Sequence, residues 1–242
     1  MIISHKHKFI FLKPYKTAGS SFEYALSETL GRSDVATYLS PDEKKKRLKK
    51  FGFSELNNRK SLIDLIRSFN YQNKRDLKSL RWPKVFHPHA TAEEVKAFVG
   101  SAIWRDYNKI SIIRNPWDCL ISFYYWNPSN EKRKPFKDWV FDNRHIIGLN
   151  NRQYYVDGKC IIDNFLRYEH LLSDLGKVPI FSGIFPTFKK HFSTTNFKSG
   201  YRAHDKLLES QMLKSAPFIN PIIYSLCELE TKKFNYKELE AN

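Results

Sequence analysis

Residues 9–26 read FIFLKPYKTAGSSFEYAL, and the fold turns on how this stretch is parsed. Phe9, Ile10, Phe11 and Leu12 form an unbroken apolar run with the length and character of a strand buried on both faces. Lys13-Pro14 breaks the run, and Tyr15 to Gly19 make a short loop. Ser20-Ser21 then offer an N-cap to a helix with Glu23 in its first turn and Phe22, Ala25 and Leu26 as its apolar stripe. Strand, tight loop and helix N-terminus together build an anion cradle. Backbone N–H groups of Thr17, Ala18, Gly19, Ser20 and Ser21 line its concavity, hydroxyls of Thr17, Ser20 and Ser21 add donors, and Lys16 adds a mobile positive charge. An ordinary strand-to-helix turn carries the same local signals, so a second anchor is needed to separate the two.

That anchor is residues 109–126, KISIIRNPWDCLISFYYW. Ile110, Ile112 and Ile113 predict another buried strand, ending at Arg114. Pro116 suits the first position of a helix that carries Asp118 in its first turn and continues through Leu120, Ile121, Phe123 and Tyr124. Ser122 lies about two turns in, so Arg114 and Ser122 can converge on one anion, and the planar fork of arginine suits a phosphate. Upstream, Lys84-Val85-Phe86 predicts a short strand, and Thr91 with Glu94 predicts a capping box on a helix from about Ala90 to Val99. His87-Pro88-His89 then sits at the carboxyl end of a strand, the edge where open α/β sheets place ligands. A histidine there is suited to general-base work. A metal reading is weaker, because the His pair has no third ligand spaced nearby.

The chain has 242 residues, enough for one large domain over 1–242, and its 41 Lys plus Arg against 25 Asp plus Glu give a net charge of +16. Such a surplus points to anionic partners, and the run PDEKKKRLKK at 41–50 predicts a basic helix face. No apolar run approaches the ~20 residues of a membrane span. Cys119, Cys160 and Cys227 are odd in number and lack CxxC spacing, which argues against a disulfide framework or a zinc site. The chain reads as cytoplasmic, without a membrane anchor.

FIFLKPYKTAGSSFEYAL resembles the 5′-phosphosulfate loop of sulfotransferases that use 3′-phosphoadenosine 5′-phosphosulfate (PAPS), and SIIRNPWDCLISFYY resembles their 3′-phosphate segment. His87-Pro88-His89 is similar to the HxH loop of the uronyl 2-O-sulfotransferases, and residues 164–171, NFLRYEHL, resemble a segment of the carbohydrate branch. The likeness spans residues 7–176. It departs at Tyr15, where the family usually has Pro, and at Cys119, where many relatives carry Arg.

The resemblance implies a three-layer α/β fold with a mainly parallel sheet, like P-loop nucleotide-binding proteins. It implies sulfuryl transfer from PAPS to a hydroxyl acceptor, and the basic and aromatic composition favours a saccharide, acidic saccharides included. Lys16 and the Thr17–Ser21 cradle would hold the leaving phosphate, Arg114 and Ser122 the 3′-phosphate with a late contact from Arg202, and His89 would be the base with His87 as second candidate. No metal is implied. A nucleotide kinase is the first competitor, but the chain lacks GxxxxGK[ST]. A basic nucleic-acid-binding protein is the second, and no motif of that class is present.

Around these anchors, Lys60–Phe69 predicts a core-facing helix, Phe136–Phe141 another, and Gln153–Ile162 a hairpin turning at Asp157-Gly158. Asn164–Arg167 predicts a strand and Tyr168–Leu175 a helix closed by Gly176. Residues 185–201 read as a loop over the site, and His204–Leu213 and Pro217–Leu229 as closing helices.

Overall fold

The computed structural model describes residues 1–58, 86–126, 134–195, 202 and 205–239. The predicted helix over Lys60–Phe69, the Lys84-Val85 part of a predicted strand, Tyr201 and His204 lie outside them. Phe86 is buried but belongs to no strand.

The run at Phe9 is a strand, though not the first. β1 (Ile2–Ser4) precedes it and pairs antiparallel with β2 (Phe9–Leu12), with His5 to Lys8 turning between them. Next come α1 (Gly19–Leu26), β3 (Val35–Ala36), α2 (Pro41–Phe51), α3 (Ala92–Asp106), β4 (Asn108–Ile113) and α4 (Pro116–Trp126). They are followed by α5 (Phe136–Asp142), α6 (Asn151–Tyr154), the small hairpin β5 (Tyr155–Val156) and β6 (Lys159–Cys160), and β7 (Asn164–Arg167). α7 (Leu171–Leu175), α8 (Phe185–Ser193), α9 (Lys206–Lys214), α10 (Ile219–Leu226) and a π-turn at Leu229–Lys233 complete the described order.

The main sheet runs β3-β1-β2-β4-β7. β1 is antiparallel to both its neighbours, whereas β2-β4 and β4-β7 are parallel. The sheet is therefore mixed: β3, β2, β4 and β7 run in one direction and β1 runs against them, a reversal that the expectation of a mainly parallel sheet did not include. The cause is the three-residue β1, too short to show a period and joined to β2 by a tight reversal that only an antiparallel pair allows.

Helices cover both faces, which explains the continuous apolar strands. Phe9, Phe11, Ile110, Ile112 and Leu166 pack with Phe22, Leu26, Leu175 and Phe188 on one side. Ile10, Leu12 and Ile113 pack with Ala92, Val95 and Tyr154 on the other. A third cluster joins α4, α5, α9 and α10 through Trp117, Ile121, Trp139, Leu213 and Ile223.

The Thr91–Glu94 capping box forms, with Thr91 N donating to Glu94 Oε2 at 2.7 Å; its helix ends after Val99, as expected, at a kink where Gly100 is left-handed (φ 77°), and a second helical piece continues to Asp106. The hairpin turns at Asp157 (φ 50°) and Gly158 (φ 72°), the left-handed pair a type I′ turn needs. Residues 185–193 are not a loop but the helix α8, whose Phe188 is fully buried against α1. Its three phenylalanines at 185, 188 and 192 follow helical spacing; the surrounding polar residues obscured it. Among the described residues no helix is long and apolar enough to cross a membrane.

Candidate functional site

Parallel pairing of β2 with β4 places the two anchors side by side. Leu12 lies opposite Ser111, whose hydroxyl donates to the Leu12 carbonyl at 2.8 Å, so both strands release their loops at the same carboxyl edge. There Arg114 Nη1 donates to the carbonyl of Lys16, bonding the two loops directly.

The first loop is wound more tightly than its sequence implied. Lys16 (φ 59°) and Ala18 (φ 58°) are both left-handed, and α1 begins at Gly19 with Ala18 as its cap residue. Ser20 and Ser21 are thus inside the first turn and not N-caps, and no side chain caps this helix. The uncapped N–H groups are left for a ligand. A left-handed alanine costs on the order of 1 kcal/mol relative to glycine. Ala18→Gly is therefore expected to stabilise the fold by about that amount, read as a higher urea midpoint at unchanged slope.

Glycine at 19 has a different reason. A Cβ there would lie 2.6 Å from Cγ of Lys13, which is 3 % exposed and threads beneath the helix start. Lys13 Nζ donates to Glu23 Oε2 at 2.7 Å and to Ser20 Oγ at 3.2 Å, and the Thr37 hydroxyl donates to Glu23 Oε1 at 3.3 Å. Glu23, predicted as a first-turn acid, is wholly buried as the counter-ion of both Lys13 and the Met1 amino-terminus.

Asp118 organises the second loop. Its carboxylate accepts from Arg114 Nε and from Arg202 Nη1, each at 2.5 Å, while Arg202 also forks onto Glu209. Burial alone would raise the Asp118 pKa, but the two arginines hold it below the usual carboxylate value. Arg114 further stacks 4.0 Å from the ring centroid of Tyr168, at the end of β7. Two guanidinium groups are thereby fixed beside the Lys16 loop.

In the His loop, Tyr15 stacks on His89 with ring centroids 3.8 Å apart and planes 11° from parallel. His89 Nδ1 lies 3.0 Å from the Lys13 carbonyl. A carbonyl can only accept, so Nδ1 carries the proton and Nε2 keeps its lone pair. Burial, reinforced by the Lys13 charge, pushes the His89 pKa down to about 2. His87 is exposed and its Nδ1 accepts from the His89 backbone N–H at 3.2 Å, which leaves the proton of its neutral ring on Nε2. The two histidines are thus opposite tautomers.

All of these groups line one cleft of about 850 Å³: Lys16, Thr17, Ala18, Gly19, Ser20, Ser21, His87, His89, Arg114, Ser122 and Arg202, with Lys13 and Tyr168. Aromatic side chains of Tyr38, Phe123, Tyr125 and Trp126 form much of the remaining wall, and Lys16 Nζ lies 4.9 Å from the Trp126 ring centroid. The hydroxyls of Ser21 and Ser122 have no hydrogen-bond partner among the described residues. Cys119 contributes no charge; its thiol contacts the Tyr15 carbonyl at 3.7 Å, and burial pushes its pKa up to about 12. Among the described residues no group of three or more His, Cys, Asp or Glu is arranged to hold a metal.

Lys13, Glu23 and Asp118 went unrecognised as parts of the site. Only Asp118 left a signal, its four-residue spacing from Arg114; Lys13 and Glu23 follow no motif spacing. Set against family models, curated proteins and solved structures, the chain finds no match.

Proposed function

We propose that the chain is a PAPS-dependent sulfotransferase with a P-loop-like fold. The observation that carries this reading is the convergence, in one cleft, of the cradle at Lys16–Ser21, the fixed Arg114 beside Ser122, and a neutral His89. Two adjoining anion subsites, the Lys16 cradle and the Arg114–Ser122 pair, suit a donor with phosphates on both the 5′ and the 3′ position of its ribose, which ATP is not. The free hydroxyls of Ser21 and Ser122 supply donors for each phosphate.

In the reaction, the bond between sulfur and the 5′-phosphate oxygen breaks as the acceptor oxygen bonds to sulfur in line with it. The leaving oxygen gains charge beside Lys16 and the N–H groups of α1, where fixed donors stabilise the transition state most. The acceptor hydroxyl gives its proton to His89 Nε2. His87, with its proton on Nε2, lacks the lone pair at that atom, so His89 is the base. Its pKa near 2 makes it a weak one, suited to a proton that leaves late, when the forming sulfate ester has made the hydroxyl acidic.

The acceptor reading follows from the walls. Trp126 and Tyr38 offer faces for sugar rings. Lys44, at the cleft, leads along the exposed lysines 45, 46, 49 and 50 of α2, which favours an acidic saccharide.

Calorimetric titration with PAP, the desulfated donor, tests the reading. Tight binding in a metal chelator is expected, with weaker binding of ATP·Mg²⁺ and of duplex DNA; preference for ATP or DNA would replace this function with a kinase or a nucleic-acid binder.

The pH profile gives a second test. Above about pH 2 His89 is neutral, so transfer is expected to show no His89 limb near neutrality. The ordinary value is 6.5, so on acidification the unfolded chain takes this proton first. The His89 contribution to stability is full above about 6.5 and is lost as pH falls toward 2; in His89→Asn that part of the acid slope should vanish from urea midpoints.

A further inference from the structure

Between α5 and β5 the chain forms a strap, residues 148–154, that no motif marked. Its two ends are pinned. Gly148 (φ 75°) packs so close to Leu226 that a Cβ would lie 3.0 Å from the leucine's own, and Asn151 Nδ2 donates to the Leu226 carbonyl at 2.7 Å. At the other end the buried Tyr154 hydroxyl donates to the Ile112 carbonyl of β4 at 3.0 Å.

Between these pins two amides reach into the cleft walls. Asn150 grips Tyr15 from both sides: its Oδ1 accepts from Tyr15 N at 2.8 Å and its Nδ2 donates to Tyr15 O at 3.2 Å. Gln153, 1 % exposed, donates from Nε2 to the His89 carbonyl at 3.0 Å. The residues so held, Tyr15 and His89, are the pair whose rings stack. One rigid strap therefore clamps the phosphate loop and the His loop by their backbones, and the stack closes the circuit between them.

We infer that Asn150 and Gln153 are positioning residues, which fix the register of the Tyr15-Lys16 loop against His89. Asn150 does for Tyr15 what a ring-constrained proline would otherwise do, since the amide pair holds both the N–H and C=O of that residue in one orientation. The catalytic consequence rests on the sulfotransferase reading; the clamp itself does not.

The decisive measurement is the ring-proton NMR signal of His89 followed between about pH 4 and 8, in the wild type, Asn150→Ala and Asn151→Ala. The titratable and charged groups around this ring are Tyr15, Lys13, His87 and the amino-terminus of Met1. In the wild type the signal should not move. In Asn150→Ala the stack loosens, water reaches the ring and a titration should appear, moved toward the ordinary histidine value. Asn151→Ala removes a strap hydrogen bond but touches neither loop, and should behave as the wild type. Identical profiles in all three proteins overturn the proposal, as does an Asn151→Ala profile that matches Asn150→Ala, which would mean a merely structural strap. If Asn150→Ala does not fold, Asn150→Asp, which keeps the acceptor and loses the donor, is read in the same way.

With donor and acceptor supplied, Asn150→Ala should lower turnover by roughly 10²-fold, the scale of a small misplacement of reacting groups, with a much smaller change in PAP affinity. Unchanged turnover also overturns the positioning role. A wild type that neither binds PAP nor transfers sulfate sinks the functional reading alone, and the NMR comparison still decides the strap.

Discussion

Lys16→Ala is expected to lower turnover at saturating donor by roughly 10²- to 10³-fold, about 2 to 4 kcal/mol of transition-state stabilisation, the scale for losing one preorganised donor. The loop should survive the change, because what holds it is backbone: the Lys16 carbonyl accepts from Arg114, and Asn150 holds Tyr15. The ammonium, by contrast, reaches forward over the Phe123 and Trp126 rings, at 6.0 and 4.9 Å from their centroids. Donor affinity should therefore fall less than turnover, since the proposed 3′-phosphate contacts of Arg114 and Ser122 are untouched. Lys16→Arg should restore little, because a planar fork cannot replace a compact point charge in so narrow a turn. Single-turnover rates at saturating PAPS measure the effect, and a rate equal to the wild type would remove Lys16 from the chemistry.

Glu23→Ala should produce the largest loss of stability, about 3 to 5 kcal/mol, because it strands the Lys13 ammonium in the core. The ion pair is almost fully out of water, with side chains 4 % and 0 % exposed. Glu23 Oε1 also meets the buried amino-terminus of Met1, whose pKa burial holds well below its ordinary value so that it can shed its proton; removing both side chains should therefore still cost less than removing Glu23 alone. The double substitution Lys13→Met with Glu23→Leu is expected to recover most of the stability in urea unfolding. A single-variant loss below about 1 kcal/mol would mean that the charge is screened as on a surface.

The strands that build the cleft were legible because they are buried on both faces: FIFL and ISII are unbroken apolar runs, and the sheet sets them side by side. The two loops at the sheet edge were legible because helix starts have chemical signatures, such as Pro116 at the head of α4 and the glycine that opens α1. Where the reading failed, the cause was tertiary. Ser20 looked like a cap by propensity, but the left-handed Ala18 starts the helix earlier, which leaves Ser20 to receive Lys13. Glu23 looked like a dipole acid until the fold buried it against Lys13. The reversed β1 was missed because three residues show no period, and the strap was missed because an Asn and a Gln holding distant backbones leave no local pattern.

The parallel pairing of β2 with β4 also governs when the site can exist. The bond from Lys16 to Arg114 spans 98 residues, and the grip of Asn150 on Tyr15 spans 135. At a translation rate of roughly 5 to 20 residues per second, the Lys16 loop leaves the ribosome on the order of ten seconds before its holder is made. Throughout that interval FIFL can pair with β1 on one edge but lacks β4 on the other, an open apolar edge available to chaperones or to other chains. PAP added to a translation reaction should accordingly protect from protease only those chains that have been extended past Asn150.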